Sequence, residues 1–128
     1  MTICRLNELP PPPTGKTGWP WTEESVLSSS AALSNVEWPR ITIVTPSYNQ
    51  AIYLEETIRS ILLQGYPNLE YIVMDGGSTD GSVEIIKKYQ AWIHHWKSGR
   101  DGGQTAAIVA GLKKSTGKVV FEYRDTFK

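Results

Sequence analysis

The stretch YIVMDGGSTDGS, Tyr71 to Ser82, sets one carboxylate, Asp75, directly behind an apolar run and follows it with paired glycines and small hydroxylated and acidic residues. A carboxylate so placed can accept hydrogen bonds from a ligand. The glycines permit close backbone approach, and exposed amides at the start of a following helix favour an anion. Ser78, Thr79 and Asp80 also suit turns and helix caps, so they read first as capping residues, with Asp75 the stronger ligand candidate. An earlier apolar run ends in TPSYN, Thr45 to Asn49, which sets an aromatic ring, Tyr48, at a second strand end.

Several familiar sites are excluded. No G-x-G-x-x-G follows the first apolar run and no G-x-x-x-x-G-K-[ST] occurs, which argues against dinucleotide oxidoreductases and P-loop hydrolases. DGGSTDGSVEII fails as a calcium loop, because Asp80 takes the glycine position and Ile86 the glutamate position. His94 and His95 are neighbours on an expected strand, point to opposite faces and cannot chelate one metal together.

The elements that must position these residues begin at Arg40, where short apolar runs alternate with segments of helical period, the pattern of a βαβ chain. ITIVT (Ile41 to Thr45) is the first strand, stopped by Pro46. Asn49 is expected to cap a helix with Leu54, Ile58, Ile61 and Leu62 on one face, Glu55 and Glu56 suiting its dipole and Gly65 and Pro67 ending it. LEYIVM (Leu69 to Met74) is the second strand, and SVEIIKKY a second helix with Val83, Ile86 and Tyr89 or Gln90 inward. IHHW (Ile93 to Trp96) is a weaker third strand. QTAAIVAGLKKS forms a third helix closed by Gly117, and KVVFEY (Lys118 to Tyr123) a fourth strand. In such a sheet, ligands bind beyond the carboxyl ends of the strands near the reversal of strand order, so the first two strand ends are expected to meet at one crevice.

Residues 1–39 carry PPPP at Pro10 to Pro13, then TGKTGWPWTEES and a Ser/Ala-rich stretch, with no usable periodicity. They read as an irregular leader whose Trp19, Trp21 and Trp38 dock on the body or on another chain. At 128 residues the chain has room for about one domain, and 13 basic against 13 acidic residues leave no net charge to draw a nucleic acid or an anionic membrane. The single cysteine, Cys4, allows no intrachain disulfide and fits a reducing cytoplasm. No apolar run reaches the ~18 to 20 residues of a membrane span.

TPSYNQ (Thr45 to Gln50), ETIRSILLQGYPNLEYIVMDGGSTDGS (Glu56 to Ser82) and RDGGQTAAIVAGLKKSTG (Arg100 to Gly117) together resemble the nucleotide-binding half of family 2 glycosyltransferases of the GT-A fold. The resemblance covers about residues 38 to 120, and the leader also resembles segments that precede this domain in bacterial members. It implies an α/β fold: an incomplete GT-A, Rossmann-like βαβαβαβ parallel sheet with helices on both faces, over residues 40–128. It further implies a nucleotide-diphosphate sugar donor, commonly UDP-linked, from which a glycosyl group passes to a hydroxyl acceptor, as in cell-surface polysaccharide synthesis. Thr45, Pro46 and Tyr48 would line the base pocket, Asp75 would lie near uracil or ribose, and Arg100, Asp101 and Gln104 would stand beside the donor.

Two departures accompany the resemblance. Many members carry two acidic residues where this chain has Asp75-Gly76. In relatives the fourth strand leads into an acidic DxD-type motif that holds Mg²⁺ or Mn²⁺ against the diphosphate, whereas Asp125, Thr126 and Phe127 stand there in this sequence and form a poor site for a hard cation. The general base for an inverting transfer is likewise unassigned. The expectation is a truncated or frameshifted reading frame that keeps the donor half, is inactive alone and holds no metal or cofactor. The fourth strand would then be an open edge inviting self-association. The alternative from another class is a non-catalytic module assembling through that edge or the Trp-rich leader. A sugar nucleotidyltransferase is disfavoured, because no Gly-rich, Arg-containing loop follows the first strand.

Overall fold

The computed structural model describes residues 4–24, 38–99, 113, 116–117 and 119–122. Its regular elements are β1 (Ile41–Ser47), α1 (Ala51–Leu62), β2 (Leu69–Asp75), α2 (Ser82–Lys88), β3 (His95–Ser98) and β4 (Val119–Glu122). The strands form one parallel sheet in the order β3-β2-β1-β4. The α/β architecture with a parallel sheet is therefore as expected. The reversal of strand order falls between β1 and β4, on the other flank of β1 from the expected crevice between the first two strands.

The apolar runs are continuous because both faces of the sheet are covered. Tyr71 and Val73 of β2 join Leu54, Ile58, Ile61 and Leu62 of α1 with Ile86 and Tyr89 in the main core. The alternate residues Ile72 and Met74 pack with Val44 in a second cluster. The four apolar α1 residues are at most 5% exposed, as their spacing predicts, and each such burial stabilises the fold by roughly 2 kcal/mol. Helices α1 and α2 also touch one another. Right-handed crossovers carrying the chain from β1 to β2 and on to β3 put both helices on one face. The predicted third helix, from Gln104, lies outside the described residues apart from Lys113, which is helical.

Three local expectations change, and one open choice is decided. Pro46 does not stop β1, which continues to Ser47 in register with Asp75. Pro46 pairs with Met74 of β2, and among the described residues the β1–β4 register runs from Ile41 to Val44. The third strand is His95–Ser98 instead of Ile93–Trp96. Ile93 is buried in the core just before it, and His94 bonds to β2 by donating its amide to Tyr71 O (2.8 Å) and accepting the Tyr71 amide on Nδ1 (2.9 Å). Tyr89, not Gln90, faces inward. Glu55, expected to serve the dipole of α1, instead accepts from Lys88 Nζ (2.7 Å) and the Tyr89 hydroxyl (2.6 Å), tying α1 to α2.

The leader is docked. Leu9 and Trp21 are buried, and Trp38 meets Tyr66 edge to face at 5.3 Å, whereas Trp19 stays 42% exposed. Cys4 packs beside the core, and burial together with Glu8 and Glu24 pushes its thiol up to about 11, away from reactivity.

Candidate functional site at the carboxyl ends of the strands

Asp75 is the last residue of β2 and is 1% exposed. Its Oδ2 accepts the amides of Gly77 (3.1 Å) and Ser78 (2.8 Å) and the Ser98 hydroxyl (2.8 Å), while Oδ1 accepts the Ser78 hydroxyl (2.5 Å). The backbone adds two further ties, Gly76 N to Ser47 O (2.8 Å) and Gly99 N to Asp75 O (3.0 Å). The carboxylate thus fixes its own loop and ties it to the end of β3, while the backbone joins the end of β1. Gly77 adopts φ of +90° inside this turn, a conformation that suits glycine.

The loops after β1 and β2 are stitched to each other. Asn49 N donates to Ser78 Oγ (2.8 Å), and Asn49 Oδ1 accepts from Thr79 N (2.9 Å). Asn49 is therefore not the cap of α1. It takes φ of +49°, a left-handed state that Asn tolerates better than most residues, and Gln50 occupies the N-cap position. The first amide of α1, Ala51 N, is capped from the other loop by Asp80 Oδ2 (3.0 Å). Asp80 Oδ1 also accepts the amide (3.1 Å) and hydroxyl (2.6 Å) of Ser82 at the start of α2. Burial opposes its ionisation, but these donors outweigh burial and hold the carboxyl below its usual range.

Among the base-pocket candidates, Thr45 is buried with its hydroxyl accepting from Tyr71 Oη (3.0 Å), and Pro46 is buried beside it. Tyr48 stands 61% exposed on the rim. Arg100, Asp101 and Gln104 lie outside the described residues. Sequence reasoning did not single out Ser47, Asn49 or Ser98 as site residues. The Ser47 hydroxyl is buried in the strand position paired with Asp75 and finds no hydrogen-bond partner among the described residues. The available signal was register: a polar residue at the end of each neighbouring strand lands beside Asp75. Among the described residues no group of three His, Cys, Asp or Glu could hold a metal ion. A cavity of about 430 Å³ lies at the opposite, amino end of the strands, between Cys4 and Glu8 of the leader and Arg40, Asn68, Trp92 and His94 of the body.

The geometry is an exposed tyrosine, Tyr48, next in sequence to a hydrogen-bonded, glycine-containing rim. The family model described as glycosyl transferase family 2 matches residues 42–122, well over half of the chain. The chain belongs to glycosyl transferase family 2. Within curated members, the chain is 34% identical over 85 residues to Bacillus subtilis TuaG, provisionally named a teichuronic acid biosynthesis glycosyltransferase, covering 64% of this chain and 34% of TuaG. Among solved structures, the mannosyltransferase PcManGT from Pyrobaculum calidifontis, in complex with GDP-Man and Mn²⁺, superposes with a TM-score of 0.60 at 29% identity, over 66% of this chain and 27% of that one. S. aureus TarS 1-349 in complex with UDP-GlcNAc superposes with a TM-score of 0.57 at 26% identity, over 66% and 26%. This glycosyl transferase family 2 chain therefore spans about a third of the length of TuaG and about a quarter of these two structures.

Proposed function

We propose that this chain supplies the donor half of a glycosyltransferase, binding a nucleotide-diphosphate sugar, UDP-linked, whose glycosyl group passes to a hydroxyl acceptor during synthesis of a bacterial cell-surface polysaccharide. The observation that carries the reading is the stitched rim. Asp75, Ser98, Asn49 and Ser78 immobilise two loops, and the Tyr48 ring is left 61% exposed above them. In this reading Tyr48 stacks on the base, and Thr45 and Pro46 form the floor. Asp75 acts mainly by fixing the Gly77 and Ser78 amides, and Ser47 Oγ, buried and unpartnered among the described residues, retains hydrogen-bonding capacity for the ligand. Arg100, Asp101 and Gln104 complete the site beside the diphosphate.

UDP is favoured because TarS was solved with UDP-GlcNAc, while the GDP-Man in PcManGT makes the base a point to test. The described residues do not fit a divalent ion, so no step through a metal is assigned to them, and no residue is assigned as base. A cytoplasmic location belongs to the same proposal. No helix among the described residues is long and apolar enough to cross a membrane.

Titration calorimetry of the folded chain with UDP, UDP-GlcNAc and GDP-mannose tests it. Binding of the uridine ligands with weaker or no binding of GDP-mannose is expected, and absence of nucleotide binding overturns the reading. A second reading rests on topology. In it the chain is a non-catalytic module in which a second copy pairs with β4, at one flank of the described sheet, and an oligomer that grows with concentration and ignores UDP would favour it.

A further inference from the structure

Arg59, on α1, has no exposed surface, which is unusual for an arginine. Its guanidinium does not reach toward a carboxylate. It reaches into the leader, where Nε donates to Pro20 O (2.9 Å), Nη1 to Pro10 O (2.9 Å) and Nη2 to Trp21 O (2.8 Å). Nη1 also donates to the Tyr89 hydroxyl (3.1 Å), which in turn donates a hydrogen bond to Glu55 Oε2 (2.6 Å). The Trp21 ring lies 5.5 Å from the guanidinium carbon, within cation–π reach. The leader around this group is closed on itself. Glu24 accepts from Leu6 N (2.7 Å) and Arg5 Nη2 (2.8 Å), and Gly18 O accepts the amides of Trp21 (2.6 Å) and Thr22 (2.7 Å).

We propose that the leader, Cys4 to Glu24, is a preformed socket for a guanidinium and that Arg59 is the single latch holding it on the helical face, so that its seating is controlled separately from folding of the sheet. Three backbone carbonyls converge on the planar fork while an indole face covers it, an arrangement that a point-charged ammonium cannot satisfy. Withdrawal of the leader would leave Arg59 with one partner, the Tyr89 hydroxyl, and a buried charge in need of water, so latch and socket require each other. The sheet carries its own cores and parallel ladders, in which the leader contributes Leu9 and packing by Cys4 and Leu6. The Trp-rich leader is thereby engaged within its own chain, and Trp21 becomes available to another partner only after the latch opens.

Amide hydrogen exchange by NMR on the full chain tests this. In Arg59→Met the amides of Leu6, Trp21 and Thr22 are expected to exchange at least ~10-fold faster, while Val44 and Ile72 of the sheet keep their protection. Arg59→Lys, which keeps the charge but not the fork, is expected to release the leader as well. Unchanged leader protection in Arg59→Met overturns the proposal. Equal loosening of leader and sheet also overturns it, because Arg59 would then be a general core residue. Should Arg59→Met fail to fold, Trp21→Ala removes the covering ring from the leader side alone. Faster exchange confined to the leader supports the latch, and unchanged protection there refutes it.

Discussion

Glu70 and Asp75 stand at opposite ends of β2, 2% and 1% exposed, and their surroundings differ in kind. Glu70 accepts from the Thr42 hydroxyl of β1 (2.8 Å) and from the Thr116 amide (2.7 Å) and hydroxyl (2.9 Å) just ahead of β4, with Arg40 Nη2 at 3.4 Å. It is a charge neutralised by a cation and used to fasten neighbouring strands. Asp75 has no ion pair among the described residues and accepts only neutral donors, three of its four bonds coming from its own loop. At the amino end of β2 polar side chains therefore tie strand to strand, whereas at the carboxyl end they form a scaffold for loops. That difference explains why an apolar strand ends on a carboxylate: it fixes the turn that follows β2.

The comparison can be broken first at Glu70. Glu70→Ala leaves the Thr42 hydroxyl and Thr116 amide without their acceptor and is expected to cost about 3 to 4 kcal/mol in urea denaturation, with nucleotide affinity unchanged in the protein that remains folded. Asp75→Ala should cost less, roughly 2 to 3 kcal/mol, and should also abolish detectable UDP binding in calorimetry, because the Gly77–Ser78 turn loses its anchor. If both variants affected stability and binding alike, the two ends would not differ in purpose. Gly117→Ala sharpens the amino end. A Cβ there would fall 2.8 Å from Thr42 N and 2.9 Å from Arg40 O, so backbone must shift, and a loss of about 1 to 3 kcal/mol is expected by the same assay. Tyr48→Ala gives the smallest change, leaving stability within ~0.5 kcal/mol and weakening UDP about 10-fold through lost stacking.

Acid provides a further separation. Burial opposes ionisation of Glu70, but bonds from Thr116 and Thr42 and the Arg40 charge hold its carboxyl below the ordinary 4.5. A carboxyl depressed in the folded state stabilises the fold fully above that ordinary value, and the contribution is lost as pH falls below it. Urea midpoints measured from pH 7 to pH 3 should therefore fall less steeply in Glu70→Gln than in the unaltered chain.

Much of the fold was legible from periodicity. The face of α1 and the continuous β1 and β2 runs follow from apolar spacing, and the inward choice of Tyr89 over Gln90 was left open because both positions suit the helix. The third strand was misplaced by two residues, since an apolar residue buried in a connection, Ile93, looks the same in sequence as one buried in a strand. At the site, Asp75 stood out by its position, but its partners did not. Ser98 joins it only through the register of β3, and Asn49 exchanges hydrogen bonds with Ser78 and Thr79 across a gap of about thirty residues. The docking of Trp21 was anticipated from aromatic content, whereas the burial of Arg59 was not, because an arginine on an amphipathic helix ordinarily marks the solvent side.

Asp80 serves the starts of two helices with a single carboxylate, one oxygen for Ala51 and the other for Ser82. Lengthening the β2–α2 connection by even one residue would therefore disturb the cap of a helix encoded about thirty positions earlier. Engineers grafting new loops onto this scaffold would do better to leave the span from Asp75 to Ser82 at its present length and vary the chain elsewhere.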